Sequence, residues 1–209
     1  MPAPSRISRL GWLVAFAVAA AVLAFGWMHL KSKRASAGLP LAVLAATPDF
    51  AFTSQTGATV KRADLAGKIW VSNFIFTRCP GPCPMMTERL AELQRALANG
   101  GDNDVRLVSV TVDPEFDQPE VLANYAARFG ADPARWSFLT GDPASVEKFI
   151  TKGMLLGLSK DEQGAPVHSQ KFVVVDRAGQ IRAYRDLDDP ALLPKLLQDI
   201  ETLKREGGS

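Results

Sequence analysis

From about residue 48 onward, short apolar runs alternate with longer stretches in which apolar positions recur every three or four residues. Residues 68–76, rich in β-branched and aromatic side chains, predict a strand buried on both faces. Residues 105–112 predict a second such strand and residues 136–140 a short third. After the first strand Pro84 can open a helix, since Leu90, Leu93 and Leu97 follow at helical spacing with charged residues between them and Asn99-Gly100-Gly101 closes the run. Val121, Leu122, Tyr125 and Phe129 mark a second helix over 119–129, a third runs from Ala144 to about Lys152, and a last one from about Asp189 to Lys204. Two hairpins are expected, one over 49–60 around Gln55-Thr56-Gly57 and one joining 171–175 to 181–184. Between them, residues 153–167 show little periodicity and hold three glycines, which predicts a long loop of the kind that carries function.

The order is hairpin, strand, helix, strand, helix, strand, helix, loop, hairpin, helix. Early alternation of strand and helix implies a parallel core, and the late hairpin adds antiparallel strands to it, giving an α/β, thioredoxin-like fold with a central mixed sheet. A chain of 209 residues, 47% hydrophobic, is enough for one sizeable core. Ahead of it, residues 10–30 contain no Asp, Glu, Lys or Arg, and about 20 such residues span a bilayer. The resulting layout is a short cytoplasmic N-terminus over 1–9, a transmembrane anchor over 10–30, a linker over 31–47 and the folded domain over 48–209. Ala35-Ser36-Ala37 fits a signal-peptidase pattern, so a cleaved signal peptide is the rival to the anchor, although its apolar core would be only about 7–15 residues long. Either way the domain is exported.

Setting that segment aside changes the charge. The net of +2 includes five cations before Asp49, and the remainder has 19 basic against 22 acidic residues. A mildly acidic domain without a Lys/Arg stripe argues against a nucleic-acid partner.

The only two cysteines lie in Cys79-Pro80-Gly81-Pro82-Cys83-Pro84, where the first strand ends and the first helix begins. Unpaired backbone N–H groups and the helix dipole favour a thiolate there, the form that binds soft metals and attacks disulfides. Thioredoxin-type oxidoreductases use a two-residue gap. The three-residue gap places both sulfurs on one side of a first helical turn, which suits Cu(I) and would also accept zinc. A structural disulfide is the plain alternative in an oxidising compartment. Of the two histidines, His29 ends the apolar segment, whereas His168 stands between the glycine-containing loop and the strand at Lys171. Cys79, Cys83 and His168 would make a three-coordinate set adequate for Cu(I), while zinc would ask for a fourth ligand. Met85 and Met86 adjoin the motif as thioethers or as helix packing. Asp113, Glu115 and Asp117 cluster after the second strand, where they could form a turn and cap, or Asp113 could stand behind the metal and orient His168.

Several segments together resemble the Sco/SenC family of membrane-anchored thioredoxin-fold proteins involved in cytochrome c oxidase assembly. Phe76-Thr77-Arg78-Cys79-Pro80-Gly81-Pro82-Cys83-Pro84 is similar to the family's F-T-x-C-P-x-x-C-P copper motif. Ser109-Val110-Thr111-Val112-Asp113-Pro114-Glu115-Phe116-Asp117, with Pro119, Leu122 and Tyr125, is similar to its S-V-D-P-x-x-D-T-P-x-x-L-x-x-Y segment, Gln118 standing where the motif has Thr. Phe138-Leu139-Thr140-Gly141 and His168-Ser169 match two further stretches. The resemblance implies copper, Cu(I) or Cu(II), held by Cys79, Cys83 and His168, and a cysteine pair that can form a reversible disulfide. It also implies a single-pass inner-membrane protein with its domain in the periplasm, and as partner the copper-bearing subunit of a haem–copper oxidase. Three functions are open: a copper carrier for oxidase assembly, a thiol–disulfide reductase that keeps an acceptor's cysteines reduced, and, on the thioredoxin-like element order alone, an exported peroxiredoxin-like domain or redox sensor.

Overall fold

The computed structural model describes residues 40–160 and 166–207, together with Trp12, residues 18–20, Val22 and Phe25. Among the described residues no helix is long and apolar enough to cross a membrane, and most of the stretch expected to form an anchor, 10–30, lies outside them. The described residues from Pro40 onward form one compact unit.

Its centre is an eight-stranded mixed sheet. The strands are β1 (Ala45–Ala46), β2 (Ala51–Ser54), β3 (Thr59–Lys61), β4 (Ile69–Ile75), β5 (Val105–Thr111), β6 (Trp136–Thr140), β9 (Lys171–Val175) and β10 (Gln180–Asp186), in the spatial order β1-β10-β9-β4-β5-β6-β2-β3. A separate two-stranded ribbon joins β7 (Leu158–Lys160) to β8 (Pro166–His168). Strands β4, β5 and β6 are parallel, with Asn73 opposite Ser109 and Ser109 opposite Phe138. All other pairs are antiparallel, as expected of a parallel core extended by hairpins. Every residue of β4 is buried, which is why its sequence reads as a continuous apolar run rather than an alternation.

The helices are α1 (Pro82–Asn99), α2 (Pro119–Arg128), α3 (Pro143–Lys148) and α4 (Leu192–Glu206). α1 buries Cys83, Met86, Thr87, Leu90, Ala91, Leu93 and Leu97, one stripe at helical spacing. It packs on β4 beside α4, and the Thr87 and Tyr125 hydroxyls, 3.1 Å apart, join it to α2. Beneath these helices Trp136 Nε1 donates to Ser109 Oγ at 2.9 Å, and Ser109 donates to Asn73 Oδ1 at 2.6 Å. On the opposite face Phe149 meets Phe50, Phe52 and Phe74 at centroid distances of 5.0, 5.4 and 6.5 Å.

Four expectations are corrected. Ala45–Ala46, inside the stretch expected to be linker, pair with Gln180 and Ile181 and so belong to the sheet. α1 starts at Pro82 rather than Pro84, because Pro82 at its first position has no N–H to leave unpaired. The third helix begins at Pro143, and a wider π-type turn over Phe149–Gly153 continues it and aims Phe149 inward. The loop expected over 153–167 contains the ribbon β7–β8.

Candidate metal centre

Strand β4 delivers the chain to the site, and a turn over 76–81 passes it into α1. The Cys79 amide donates to the Phe76 carbonyl at 3.2 Å, so Cys79 sits in this turn while Cys83 occupies the first turn of the helix. Both cysteines are free and buried, Cys83 completely. The Thr87 hydroxyl donates to the Cys83 carbonyl at 2.8 Å. Tyr125, whose hydroxyl backs Thr87, has its acidity weakened to a pKa of about 12, chiefly by burial.

His168 ends β8, opposite Leu158 of β7. The Ser169 carbonyl can only accept, so the 3.1 Å contact from His168 Nδ1 places the ring proton on Nδ1. That leaves Nε2 as a bare lone pair, and it lies 3.3 Å from Cys83 Sγ. Phe76 meets the imidazole edge to face at 6.1 Å and walls the site. Burial lowers the His168 pKa, which keeps the ring neutral and able to ligate.

The cysteine chemistry differs from the expectation of a thiolate made by the helix start. Cys83 is pushed well above the ordinary thiol range, first by burial, then by the neighbouring Cys79 side chain, and further by Asp117. A backbone hydrogen bond with Phe76 opposes this without reversing it. In the metal-free protein Cys83 is therefore a thiol hydrogen-bonded to an imidazole acceptor, and a metal must displace its proton. Among the described residues no three His, Cys, Asp or Glu side chains stand ready-gathered as a metal-holding group. Cys83 and His168 are in contact, and Cys79 stands in the turn just ahead of the helix that carries Cys83. Two thiols and one neutral imidazole are a soft donor set, fitting Cu(I) better than a hard cation.

Asp113 lies beside the cysteine turn, but its carboxylate accepts from Arg78 at 2.6 Å and does not reach toward the imidazole. Arg78 also lies over the Phe116 ring at 4.0 Å. The carboxylate that enters the interior is Asp117, which sequence reasoning took for turn chemistry. It is fully buried and accepts from the Thr77 amide at 3.1 Å and from the Thr77 and Thr111 hydroxyls. Of the two methionines, Met86 is core and Met85 is exposed. Beside the cysteine turn opens a groove of about 810 Å³, lined by Phe76, Arg78, Pro80, Asp113, Leu158 and Pro166 among others.

A family model described as SCO1/SenC matches residues 42–204. The SCO1 protein homolog of Bacillus subtilis is 35% identical over 134 residues, covering 63% of this chain and 69% of the relative. The solved structure of BsSco, described as a member of the Sco family of cytochrome c oxidase assembly proteins, superposes with a TM-score of 0.71 at 30% identity over 79% of this chain and 98% of that one. Bradyrhizobium japonicum ScoI, solved with copper bound, superposes with a TM-score of 0.62 at 28% identity over 77% of this chain and 99% of that one. With the thioredoxin-like sheet, the cysteine turn ahead of α1 and a family match over 42–204, the chain belongs to the SCO1/SenC family.

Proposed function

We propose that this protein binds copper through Cys79, Cys83 and His168 and carries it in the assembly of cytochrome c oxidase. The observation that bears most on this is the bare Nε2 of His168 set 3.3 Å from Cys83 Sγ, with Cys79 in the turn just ahead of the helix that carries Cys83. The copper held by Bradyrhizobium japonicum ScoI and the assembly role given to the family of BsSco support it. Neutral imidazole and two cysteine sulfurs make a trigonal donor set suited to Cu(I). Phe76, edge to face with the half-buried imidazole, would shield one side of the bound metal from water. The apolar segment over 10–30 would tether the domain to the inner membrane on the periplasmic side, within reach of the copper-bearing subunit of a haem–copper oxidase. Asp113 would act at one remove, by holding Arg78 over the mouth of the cysteine turn.

A second reading is favoured by one feature: both cysteines are free and lie close together in the sequence, as a dithiol reductant of an acceptor's disulfide requires. A Cu(I) titration of the reduced, anaerobic full-length protein against a competing chelator separates the two. The carrier binds one equivalent tightly and loses this when both cysteines are serine. Failure to compete with the chelator, alongside fast reduction of a model disulfide, would leave only the reductase.

A further inference from the structure

Asp117 has no ion-pair partner among the described residues, yet it is fully buried. A buried carboxylate without a cation is retained only where donors converge on it. Three do, and all belong to the two segments that meet at the cysteine turn. Thr77 supplies its amide and its hydroxyl from two residues before Cys79, and Thr111 supplies its hydroxyl from the last position of β5. The next residue, Arg78, is gripped from the same 113–117 segment by the ion pair with Asp113 and the contact with Phe116. The segment itself is braced by the Asp117 amide, which donates to the Asp113 carbonyl at 2.9 Å. The turn carrying Cys79 is therefore held from below by a buried link and from above by an exposed one. Of the two, only the buried link is shielded from water and salt.

We infer that Asp117 is a positioning residue for the Cys79–Cys83 pair: by fixing Thr77 to the end of β5 it sets where Cys79 stands relative to Cys83. The inference deepens the proposed copper and thiol site and rests on that reading for its biological meaning. Its physical content concerns the metal-free dithiol. When the pair oxidises, each cysteine gives up its thiol hydrogen and one S–S bond forms. Glutathione disulfide takes the two electrons and two protons and leaves as two glutathione molecules. The equilibrium constant for this exchange measures how well the two sulfurs are held together.

Two substitutions separate positioning from charge and from mere packing. In Asp117→Asn the amide oxygen can accept from the Thr77 amide and the Thr111 hydroxyl, while the amide nitrogen donates to a Thr77 hydroxyl that has reversed its role, so all three links survive without the charge. Asp117→Ala removes them. The experiment equilibrates metal-free full-length protein with glutathione buffers and reads the fraction of Cys79–Cys83 disulfide. Asp117→Ala should lower the constant at least tenfold, a potential about 30 mV more oxidising, and Asp117→Asn should stay within about threefold of wild type. An unchanged constant in Asp117→Ala, even with lowered stability, overturns the inference, as does an Asn variant as impaired as the Ala one. Should Asp117→Ala not fold, Thr77→Val decides: it removes one link and keeps the carboxylate, so a loss of about threefold or more supports the inference and no change overturns it. Because no metal enters these measurements, failure of the copper reading would appear in the chelator titration and leave this result standing.

Discussion

Raising the pH above 9 should destabilise the metal-free protein first through buried Cys83, with buried Tyr125 adding to the loss from about pH 10. Cys83 is 0% exposed, and burial, reinforced by the neighbouring Cys79 side chain, pushes its pKa above the ordinary 9.0. In the unfolded chain the thiol ionises near 9.0, while in the folded chain it keeps its proton. Above pH 9 the folded state therefore binds more protons than the unfolded one. The stabilisation is complete below pH 9 and is lost as pH climbs, with a limiting slope of about 1.4 kcal/mol per pH unit. For a folded thiol that stays protonated throughout, the loss is about 0.4 kcal/mol at pH 9, about 1.4 at pH 10 and about 2 at pH 10.5. The assay is urea unfolding of the reduced, anaerobic protein at pH 8 and pH 10, for wild type and Cys83→Ala. Other groups titrate in both proteins, so the difference between their pH dependences isolates Cys83. The variant should start less stable, having lost a packed side chain, and should lose about 1.4 kcal/mol less than wild type between the two pH values. Parallel pH dependences would refute the reasoning, because they would mean that the folded thiol ionises as readily as the unfolded one. A metal that binds the sulfur must displace the same proton, so copper affinity should rise with pH over the range below 9.

His168→Ala should weaken Cu(I) binding about tenfold or more, some 1.4 kcal/mol, in a chelator competition, with the fold intact by circular dichroism; unchanged affinity would remove His168 from the ligand set. Below pH 6.5 the half-buried, neutral imidazole should cost stability as the unfolded histidine takes up a proton that the folded one resists, a loss on acidification that His168→Gln should lack in urea titrations. Phe149→Ala should cost about 3–5 kcal/mol of unfolding free energy, since it removes the ring on which Phe50, Phe52 and Phe74 converge, and a urea midpoint near wild type would contradict that packing. Arg182 pairs with Asp176 at 2.8 Å and Glu206 at 2.6 Å and its Nε donates to the Leu41 carbonyl at 3.1 Å. Arg182→Ala should therefore cost up to about 3 kcal/mol and speed amide exchange over residues 44–47, with unchanged exchange there counting against the clamp.

The difference between what could be read from the chain and what could not follows from where each signal is stored. Strands β4 and β5 are buried on both faces, so burial is written into consecutive residues and the parallel core was legible from local pattern alone. The same holds for α1, whose stripe from Cys83 to Leu97 repeats at helical spacing. The ribbon β7–β8 carries no such record. Val167 and Ser159 are exposed and Leu158 and Pro166 only half-buried, so neither strand shows an apolar alternation, and two of its few residues are a proline and a lysine. His168 was singled out by being the one histidine of the domain, but its approach to Cys83 is set by the pairing of Leu158 with His168, a contact that no periodicity encodes. Asp117 was missed for a related reason. Aspartate after a proline-containing strand end is ordinary turn chemistry, and its sequence neighbours Asp113 and Glu115 look equivalent to it. Only the fold shows that one of the three points inward, because beside Thr111 at the end of β5 the donors that hold it come from Thr77, 40 residues earlier and just past the end of the neighbouring strand β4. The available signal was Thr77 itself: a polar side chain just past the end of a buried strand, two residues before a buried cysteine, needs a partner, and here the partner follows the end of the next parallel strand.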